Sequence, residues 1–242
     1  MAYRIFLAGA SGAIGRRLMP QLLDAGHAVT GMTRQASKAD ELRALGAEPV
    51  IVDVFDAAAL SRAVRAASPD IVIHQLTDLP AGLDPARMGE AIVRNARIRA
   101  EGTRNLVAAA EAASVRRLIA QSIAWAYAPG AQPYGESDPL DADADGNRGI
   151  SVGGVIALEK AVLNAPLAGI VLRYGQLYGP GTGAEAPTGA SPVHVDAAGH
   201  AALLTLDRGK PGIFNVAEPN QTVSTQKAIE ELGWRADFRL PA

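Results

Sequence analysis

A glycine-rich turn close to the N-terminus constrains the fold of this chain more than any other feature. The apolar run at residues 5–8 leads into Gly9, Gly12 and Gly15, and a helical pattern follows at once. Glycine permits a tight turn and lets a pyrophosphate approach the backbone, while the N-terminus of the next helix attracts that anion. Between a strand and a helix, this spacing predicts a nucleotide-binding site. Its expected contact residues are Gly9, Ser11, Gly12, Ala13, Ile14 and Gly15.

Short apolar runs alternate with alanine-rich helical patterns along most of the chain. The sequence predicts further strands at 28–32, 49–52, 71–76, 118–121 and 169–172, and helices at 13–25, 37–45, 57–67, 87–113 and 152–164. Strands rich in Ile, Val and Leu that are separated by helices are typical of a parallel sheet buried on both faces. We therefore predict an α/β fold with a Rossmann-type doubly wound parallel sheet, in which ligands bind at the carboxyl ends of the strands.

The C-terminal part of the chain is shorter and less regular. Residues 179–192 are rich in glycine and proline, and helix, strand and helix patterns follow at 196–206, 212–216 and 225–232. We expect a Rossmann domain over residues 1–178 and a small, reduced C-terminal substrate lobe over residues 179–242, packed together as one compact unit. Because this lobe is short and has no cluster of cations, we expect a small substrate and not a nucleotide sugar.

The composition excludes several classes of function. The net charge of −2 over 242 residues leaves no broad basic surface for nucleic acid, and no apolar run approaches the roughly 20 residues of a membrane span. The absence of cysteine excludes disulfides and thiolate chemistry and is typical of a cytoplasmic protein. A strand pattern begins almost at the first residue, so we expect no signal peptide. No cluster of side chains has metal-ligand spacing, and we predict no metal.

The residues after the second predicted strand indicate which dinucleotide the fold binds. Arg34 and Lys38 lie there, and residues 31–38 contain no acidic side chain. An acid at this position suits the ribose hydroxyls of NAD, whereas a cation suits the 2′-phosphate of NADP. We predict NADP(H), with a merely solvated Arg34 as the alternative. Other expected cofactor contacts are Asp53, Val54, Gln75, Leu76 and Thr77. For Asp53, capping of the next helix is an alternative role.

Several short motifs occur in the order found in one known family. Beside the glycine turn and Asp53, they lie at residues 26–29, 101–106, 121–122, 172–174, 178–181, 193–196 and 227–234. With this series the chain resembles the extended short-chain dehydrogenase/reductases, the NAD(P)-dependent epimerase/dehydratase group. The resemblance implies hydride transfer at a nicotinamide, with Tyr174 beside the cofactor.

The resemblance also implies catalytic residues, and here the chain departs from the family. The family uses a serine, a tyrosine that acts as acid and base, and a lysine four residues after the tyrosine. Ser122 matches the serine, and Lys160 matches the lysine, which would also contact the cofactor. The position four residues before Lys160 is Ile156, which cannot carry a proton, and no tyrosine lies within residues 151–165. A usual asparagine, three residues before Gly102, is Arg99.

Three interpretations of these departures remain open. The first is an NADP(H)-dependent oxidoreductase that acts on a small carbonyl or hydroxyl metabolite with a displaced acid/base, which is Tyr127, Tyr134 or Lys160 itself. The second is a catalytically inactive NADP(H) sensor or regulatory binding module. The third is a non-redox enzyme that binds another nucleotide. By the resemblance, a homodimer is expected through the helices predicted at 87–113 and 152–164.

Overall fold

The computed structural model describes residues 1–241, apart from the side chain of residue 81, and its centre is a parallel sheet of seven strands. Along the sheet the order is β3-β2-β1-β4-β5-β6-β9. The strands are β1 (Arg4–Ala8), β2 (Ala28–Thr33), β3 (Glu48–Ile51), β4 (Ile71–His74), β5 (Arg117–Ile123), β6 (Ala168–Tyr174) and β9 (Gly212–Val216). Two short strands, β7 (Gln176–Tyr178) and β8 (Pro192–His194), form a separate parallel pair. The predicted Rossmann-type doubly wound sheet is confirmed.

Helices cover both faces of this sheet. They are α1 (Ala13–Asp24), α2 (Ala39–Ala44), α3 (Ala57–Ala67), α4 (Pro85–Arg97), α5 (Thr103–Ala112), α6 (Gly146–Leu163) and α7 (Val195–Leu204), with π-helical segments at Ile98–Gly102 and Ala228–Leu232. Side chains of β1 alternate between the two layers: Ile5 and Leu7 pack in a core with α1 and α7, whereas Phe6 and Ala8 pack in a core with α3 and α5. This two-sided burial explains why the strands read as continuous apolar runs.

The strand order reverses at β1, and this reversal determines where the ligand cleft lies. Strand β1 pairs with β2 on one side and with β4 on the other, so the connections run in opposite directions from β1. Outside the carboxyl ends of β1 and β4 the flanking loops separate and leave a crevice. The glycine turn follows β1 directly and lies at this crevice.

The C-terminal segment is part of the same sheet. Strand β9 pairs in parallel with β6 and forms the edge of the sheet, and α7 packs against α1. The indole N–H of Trp234 donates to the carbonyl of Ala197 at 2.8 Å and joins the chain end to α7. The predicted boundary at residue 178 therefore precedes a strand that completes the Rossmann sheet. Within residues 1–241 no helix is long and apolar enough to cross a membrane.

Two predicted helices differ from those in the structure. The helix predicted at 87–113 is α4 and α5 with the π-helical segment Ile98–Gly102 between them. The helix predicted at 152–164 begins six residues earlier, at Gly146, and the extended residue Asp145 is its N-cap. Helices α4 and α6 pack side by side, and the homodimer expected through them stays a prediction.

Candidate functional site

A cleft of about 910 Å³ lies at the carboxyl ends of the strands. The glycine turn, the ends of β2 to β6, α4 and the first turns of α6 surround it. Most of the residues predicted to bind a cofactor line it. They are Gly9, Ser11, Gly12, Ala13, Ile14, Arg34, Lys38, Asp53, Val54, Gln75, Leu76, Thr77 and Tyr174.

The glycine turn has the conformation that a phosphate site requires. Gly9 has a φ of 88°, and a Cβ there would collide with the backbone carbonyl of Gln75. Gly12 precedes α1 and makes no side-chain cap, so no side chain covers the helix N-terminus. A Cβ on Gly15 would collide with the carbonyl of Gly9. Gly15 therefore lets α1 pack closely on the turn and is not itself among the residues that line the cleft, so its predicted cofactor contact stays a prediction.

Buried polar atoms without a partner mark the middle of the cleft. Three side-chain atoms have no hydrogen-bond partner among residues 1–241: the nitrogen and the oxygen of the Gln75 amide and the hydroxyl of Tyr174. Burial raises the pKa of Tyr174 well above that of an ordinary tyrosine, so this hydroxyl keeps its proton. An unpaired buried polar group is costly, and the Gln75 side chain lies close enough to the Tyr174 hydroxyl to oppose, in part, the effect of burial on its pKa.

The end of the cleft next to β2 carries cations. The guanidinium of Arg34 is half-exposed and lies 3.0 Å from the carboxylate of Asp78. The ammonium of Lys38 bonds the carboxylate of Glu41 at 2.6 Å. The side chain of Asp53 accepts the N–H of Phe55 at 2.9 Å and does not cap α3. Arg34 therefore lies at the lip of the cleft, free to approach a ligand on its exposed side.

The orientation of α6 corrects the prediction for Lys160. Asn147, Arg148 and Ser151 are the residues of α6 that line the cleft. Lys160 is exposed and, with Ile156, lines a separate surface groove. Nine residues separate Lys160 from Ser151, which is roughly 180° around an α-helix. The side chain of Lys160 therefore points away from the cleft in which the cofactor and the substrate are expected.

Ser151 and Val155 are four residues apart on α6, the spacing that the resemblance implies for the tyrosine and the lysine of the family. Ser151 faces the cleft, and Val155, one turn later on the same face, is fully buried. Sequence reasoning missed this register because it matched Lys160, the lysine of this helix, with the lysine of the family. The signal for an earlier start is the Asp145-Gly146 pair, since such a pair is typical of a turn just before a helix.

Ser122 lines the cleft, but its hydroxyl is already paired. It donates to the carboxylate of Glu159 at 2.8 Å. Arg173 donates two hydrogen bonds, of 2.9 and 2.7 Å, to the same carboxylate. The side chains of Arg173 and Glu159 are only 3% and 6% exposed. Although burial opposes the charge on Arg173, the hydrogen bonds that Arg173 donates to Glu159 keep its pKa above the ordinary value. Ser122 thus completes a buried ion pair, and its neighbour Ile123 covers the adjacent wall.

The two tyrosines predicted as displaced acids do not line the cleft. Tyr127 donates its hydroxyl to Asn215 at 2.6 Å, and burial raises its pKa. Its ring stacks on Tyr134 at 5.0 Å between centroids, and the hydroxyl of Tyr134 bonds the backbone of Gly130. Both rings pack beside β9 in a small core of their own, so the structure does not support either as the acid.

Arg99 is the functional residue that sequence reasoning noted only as a missing asparagine. It lies in the π-helical segment Ile98–Gly102, lines the cleft and is 8% exposed. Its Nη1 donates to the hydroxyl of Ser151 at 3.3 Å. Burial lowers the pKa of Arg99 to about 10, so the side chain is a cation at neutral pH. Complete burial of His74, together with the smaller effect of the charge on Arg99, lowers the pKa of His74 to about 4.

Comparison with known proteins places the chain among its relatives. A family model described as NAD(P)H-binding matches residues 9–144. The chain is 42% identical over 230 residues to a 3-diazoavenalumate denitrifying reductase from a Streptomyces species, which covers 94% of this chain and 72% of that protein. The chain belongs to the NAD(P)H-binding family. It is also 30% identical over 139 residues to a 4-hydroxy-2-methyl-3-oxo-4-farnesyl-3,4-dihydroquinoline-1-oxide ketoreductase of Stigmatella aurantiaca, across 57% of this chain and 39% of that protein.

Solved structures support the same fold for this family member. The UDP-glucose 4-epimerase of Stenotrophomonas maltophila with bound NAD aligns with a TM-score of 0.79 at 17% identity, over 98% of this chain and 94% of that one. The UDP-glucose 4-epimerase of Thermotoga maritima aligns with a TM-score of 0.77 at 20% identity, over 99% and 94%. The expected likeness to the epimerase group is therefore confirmed in fold. The glycine turn and the unpaired atoms of Gln75 and Tyr174 fit an NAD(P)H molecule in the cleft.

Proposed function

We propose that this protein is an NADP(H)-dependent reductase whose substrate takes no proton from the protein at the reacting atom. The observation that carries this proposal is the absence, among the described residues lining the cleft, of a tyrosine with a lowered pKa. Tyr174 is the phenol there, and its pKa is shifted upwards. Ser151 and Val155 have the spacing of the family's tyrosine and lysine, and neither is an acid near neutral pH.

The chemistry of the substrate follows from this missing acid. When it is bound, a reduced nicotinamide supplies a hydride. A carbonyl carbon that accepts a hydride leaves an alkoxide, which must then be protonated. An aryl diazonium carbon that accepts a hydride becomes a C–H bond and releases dinitrogen, and no proton is needed. The relative named as a denitrifying reductase of a diazo compound supports such an acceptor for this chain.

The side chains of the cleft bind and orient in this scheme. Gly9 and the N-terminus of α1 hold the phosphates, and Gln75 and Tyr174 supply hydrogen bonds in the middle of the cleft. Arg34 at the end of β2 favours the 2′-phosphate of NADP(H), because a planar guanidinium matches a phosphate in two hydrogen bonds. Ile123 and Trp125 provide an apolar wall that limits access of water to the reacting group.

The test is a reaction with a simple aryl diazonium salt and NADPH. The expected result is loss of the reduced nicotinamide together with formation of the arene, and NADPH deuterated at its transferable position should place deuterium on the ring. A ketone and a quinone of similar size serve as the carbonyl controls. Faster reduction of either carbonyl compound than of the diazonium salt would contradict the proposal.

A binding module is the second candidate, and the same missing acid favours it. A sensor would bind NADPH tightly and would turn over neither the diazonium salt nor the carbonyl controls. Calorimetry with NADPH, run on the same protein sample as the assay, separates the two candidates. Micromolar binding without turnover selects the sensor, and turnover excludes it.

A further inference from the structure

We propose that Arg99 and Ser151 form an anion site in the cleft that binds a carboxylate of the substrate. This inference deepens the proposed function, since it names the class of substrate for the same cleft. It predicts a molecule with a carboxylate at one end and an apolar, preferably aromatic, body.

The first support is the isolated charge of Arg99. Its guanidinium is nine-tenths buried, and its hydrogen bonds within the protein go from Nη1 to the hydroxyl and the carbonyl of Ser151, at 3.3 and 3.5 Å. These partners are neutral and the contacts are long. In the part of the chain that the structure describes, no carboxylate lies within 4.0 Å of the guanidinium. A buried cation without an anion is costly, and an anionic ligand would remove that cost.

The second support is the charge balance of the neighbouring groups. Glu159 is the carboxylate whose charge acts on Arg99, but both of its oxygens already bond Arg173 and Ser122. The ring of His74 accepts the N–H of Leu76 and bonds Thr103, so it is neutral. The group of Arg99, Arg173, Glu159 and His74 therefore carries one uncompensated positive charge beside the cleft.

The third support is the apolar lining of the cleft that contains Arg99. Four apolar residues line the same cleft: Met88 and Ile92 on α4, Ile123 at the end of β5, and Trp125. A cation set against apolar and aromatic side chains matches a ligand that has a charged end and an apolar body. The phosphates of a dinucleotide have their own site at the glycine turn, so they do not account for this second cation.

The test compares a carboxylate with its neutral amide in the complex of the protein with NADPH. Cinnamate and cinnamamide have the same body and differ in charge, and calorimetry or quenching of NADPH fluorescence measures both. Cinnamate should bind the wild-type protein about tenfold or more tightly than cinnamamide, because charged hydrogen bonds in a water-poor site exceed neutral ones. Arg99→Met should remove this preference, and Arg99→Gln provides a polar second variant.

The matched control is Arg97→Met. Arg97 lies two residues away, is exposed and pairs with Glu101, so its loss should leave the preference for cinnamate unchanged. The affinity for NADPH, measured on every variant, reports correct folding. Equal binding of cinnamate and cinnamamide to the wild-type protein overturns the inference. An unchanged preference in Arg99→Met also overturns it, and a tenfold loss of NADPH affinity in that variant would show that Arg99 serves the cofactor instead.

This experiment is independent of turnover. A preference for cinnamate that depends on Arg99 supports the anion site even where no diazonium salt is reduced, and in that case the proposed reductase function alone fails. Reduction of a diazonium salt that carries no carboxylate, without any preference for cinnamate, would support the reductase and refute the anion site.

Discussion

Replacing Glu159 with glutamine tests whether the buried ion pair behind the cleft holds α6 in its observed orientation. The wild-type carboxylate accepts three hydrogen bonds, one from Ser122 and two from Arg173, at 2.7 to 2.9 Å. Glutamine keeps the volume but carries no charge, and its amide nitrogen cannot accept. The variant therefore leaves Arg173 as a second uncompensated cation in the interior.

The expected loss of stability is large. Breaking a buried pair by removing one partner costs about 3 to 5 kcal/mol, because the remaining charge has no counter-ion. For a chain of this size each kcal/mol lowers the Tm by about 2 to 4 °C, so the expected decrease is about 6 to 20 °C. Both side chains are more than nine-tenths buried, so solvent screening does not reduce this figure.

Urea unfolding followed by circular dichroism measures the free energy, with Lys160→Gln as the matched control. Lys160 is adjacent in sequence but exposed, so its replacement should change stability by less than about 0.5 kcal/mol. Turnover of Lys160→Gln should also match the wild type, since Lys160 lies outside the cleft. A loss below about 1 kcal/mol for Glu159→Gln, or a lost activity for Lys160→Gln, would refute the orientation of α6 described above.

Four further predictions concern the cleft and its surroundings. Arg34→Glu should weaken NADPH binding by about tenfold or more and change NADH binding little, as calorimetry with both cofactors would show; equal losses would exclude a phosphate contact. Gly9→Ala should abolish NADPH binding, since its Cβ would collide with the carbonyl of Gln75, and a normal Kd would contradict the close approach. Tyr127→Phe should cost about 1 kcal/mol through the lost hydrogen bond and leave turnover within twofold; inactivation would restore it as the acid. The pKa of His74 is about 4 in the folded protein and about 6.5 in the unfolded chain. The neutral ring therefore contributes its full share to the stability of the fold above pH 6.5, and this contribution is lost as the pH falls towards 4. Urea unfolding should show a loss of about 2 kcal/mol near pH 5, and His74→Gln should flatten this dependence.

The strands, helices and turns that depend only on nearby residues could be predicted from the sequence. Six strands of the sheet, the glycine turn and α1 lie within a few residues of their predicted bounds, because apolar runs and glycine spacing reflect burial and backbone geometry directly. Thirteen of the predicted cofactor contacts line the cleft for the same reason, since they follow the ends of parallel strands. The seventh strand, β9, was predicted as a strand but not as part of the sheet, because its pairing with β6 depends on contacts distant in sequence.

The catalytic half of the site could not be predicted in this way. Glu159 and Lys160 are adjacent charged residues on one helix, and a periodic pattern of alanine and valine does not determine which of them faces inwards. The partner that decides is Arg173, on a strand that is separated from α6 by a loop. Because Glu159 faces Arg173 in the interior, the rotation of α6 about its axis is fixed. With this rotation Ser151 faces the cleft.

The sequence by itself determined the class of fold and the presence of a dinucleotide site, because a strand, three glycines and a helix must meet at one turn. It also determined that no tyrosine stands four residues before Lys160. Only the tertiary structure decided that Lys160 is outside the cleft and that Arg99 is inside it. The physical reason is that a buried charge is stable only beside its partner, and such partners come together through the packing of distant segments. The glycine turn thus indicates a bound cofactor, while the buried charges determine which other ligands the cleft can bind.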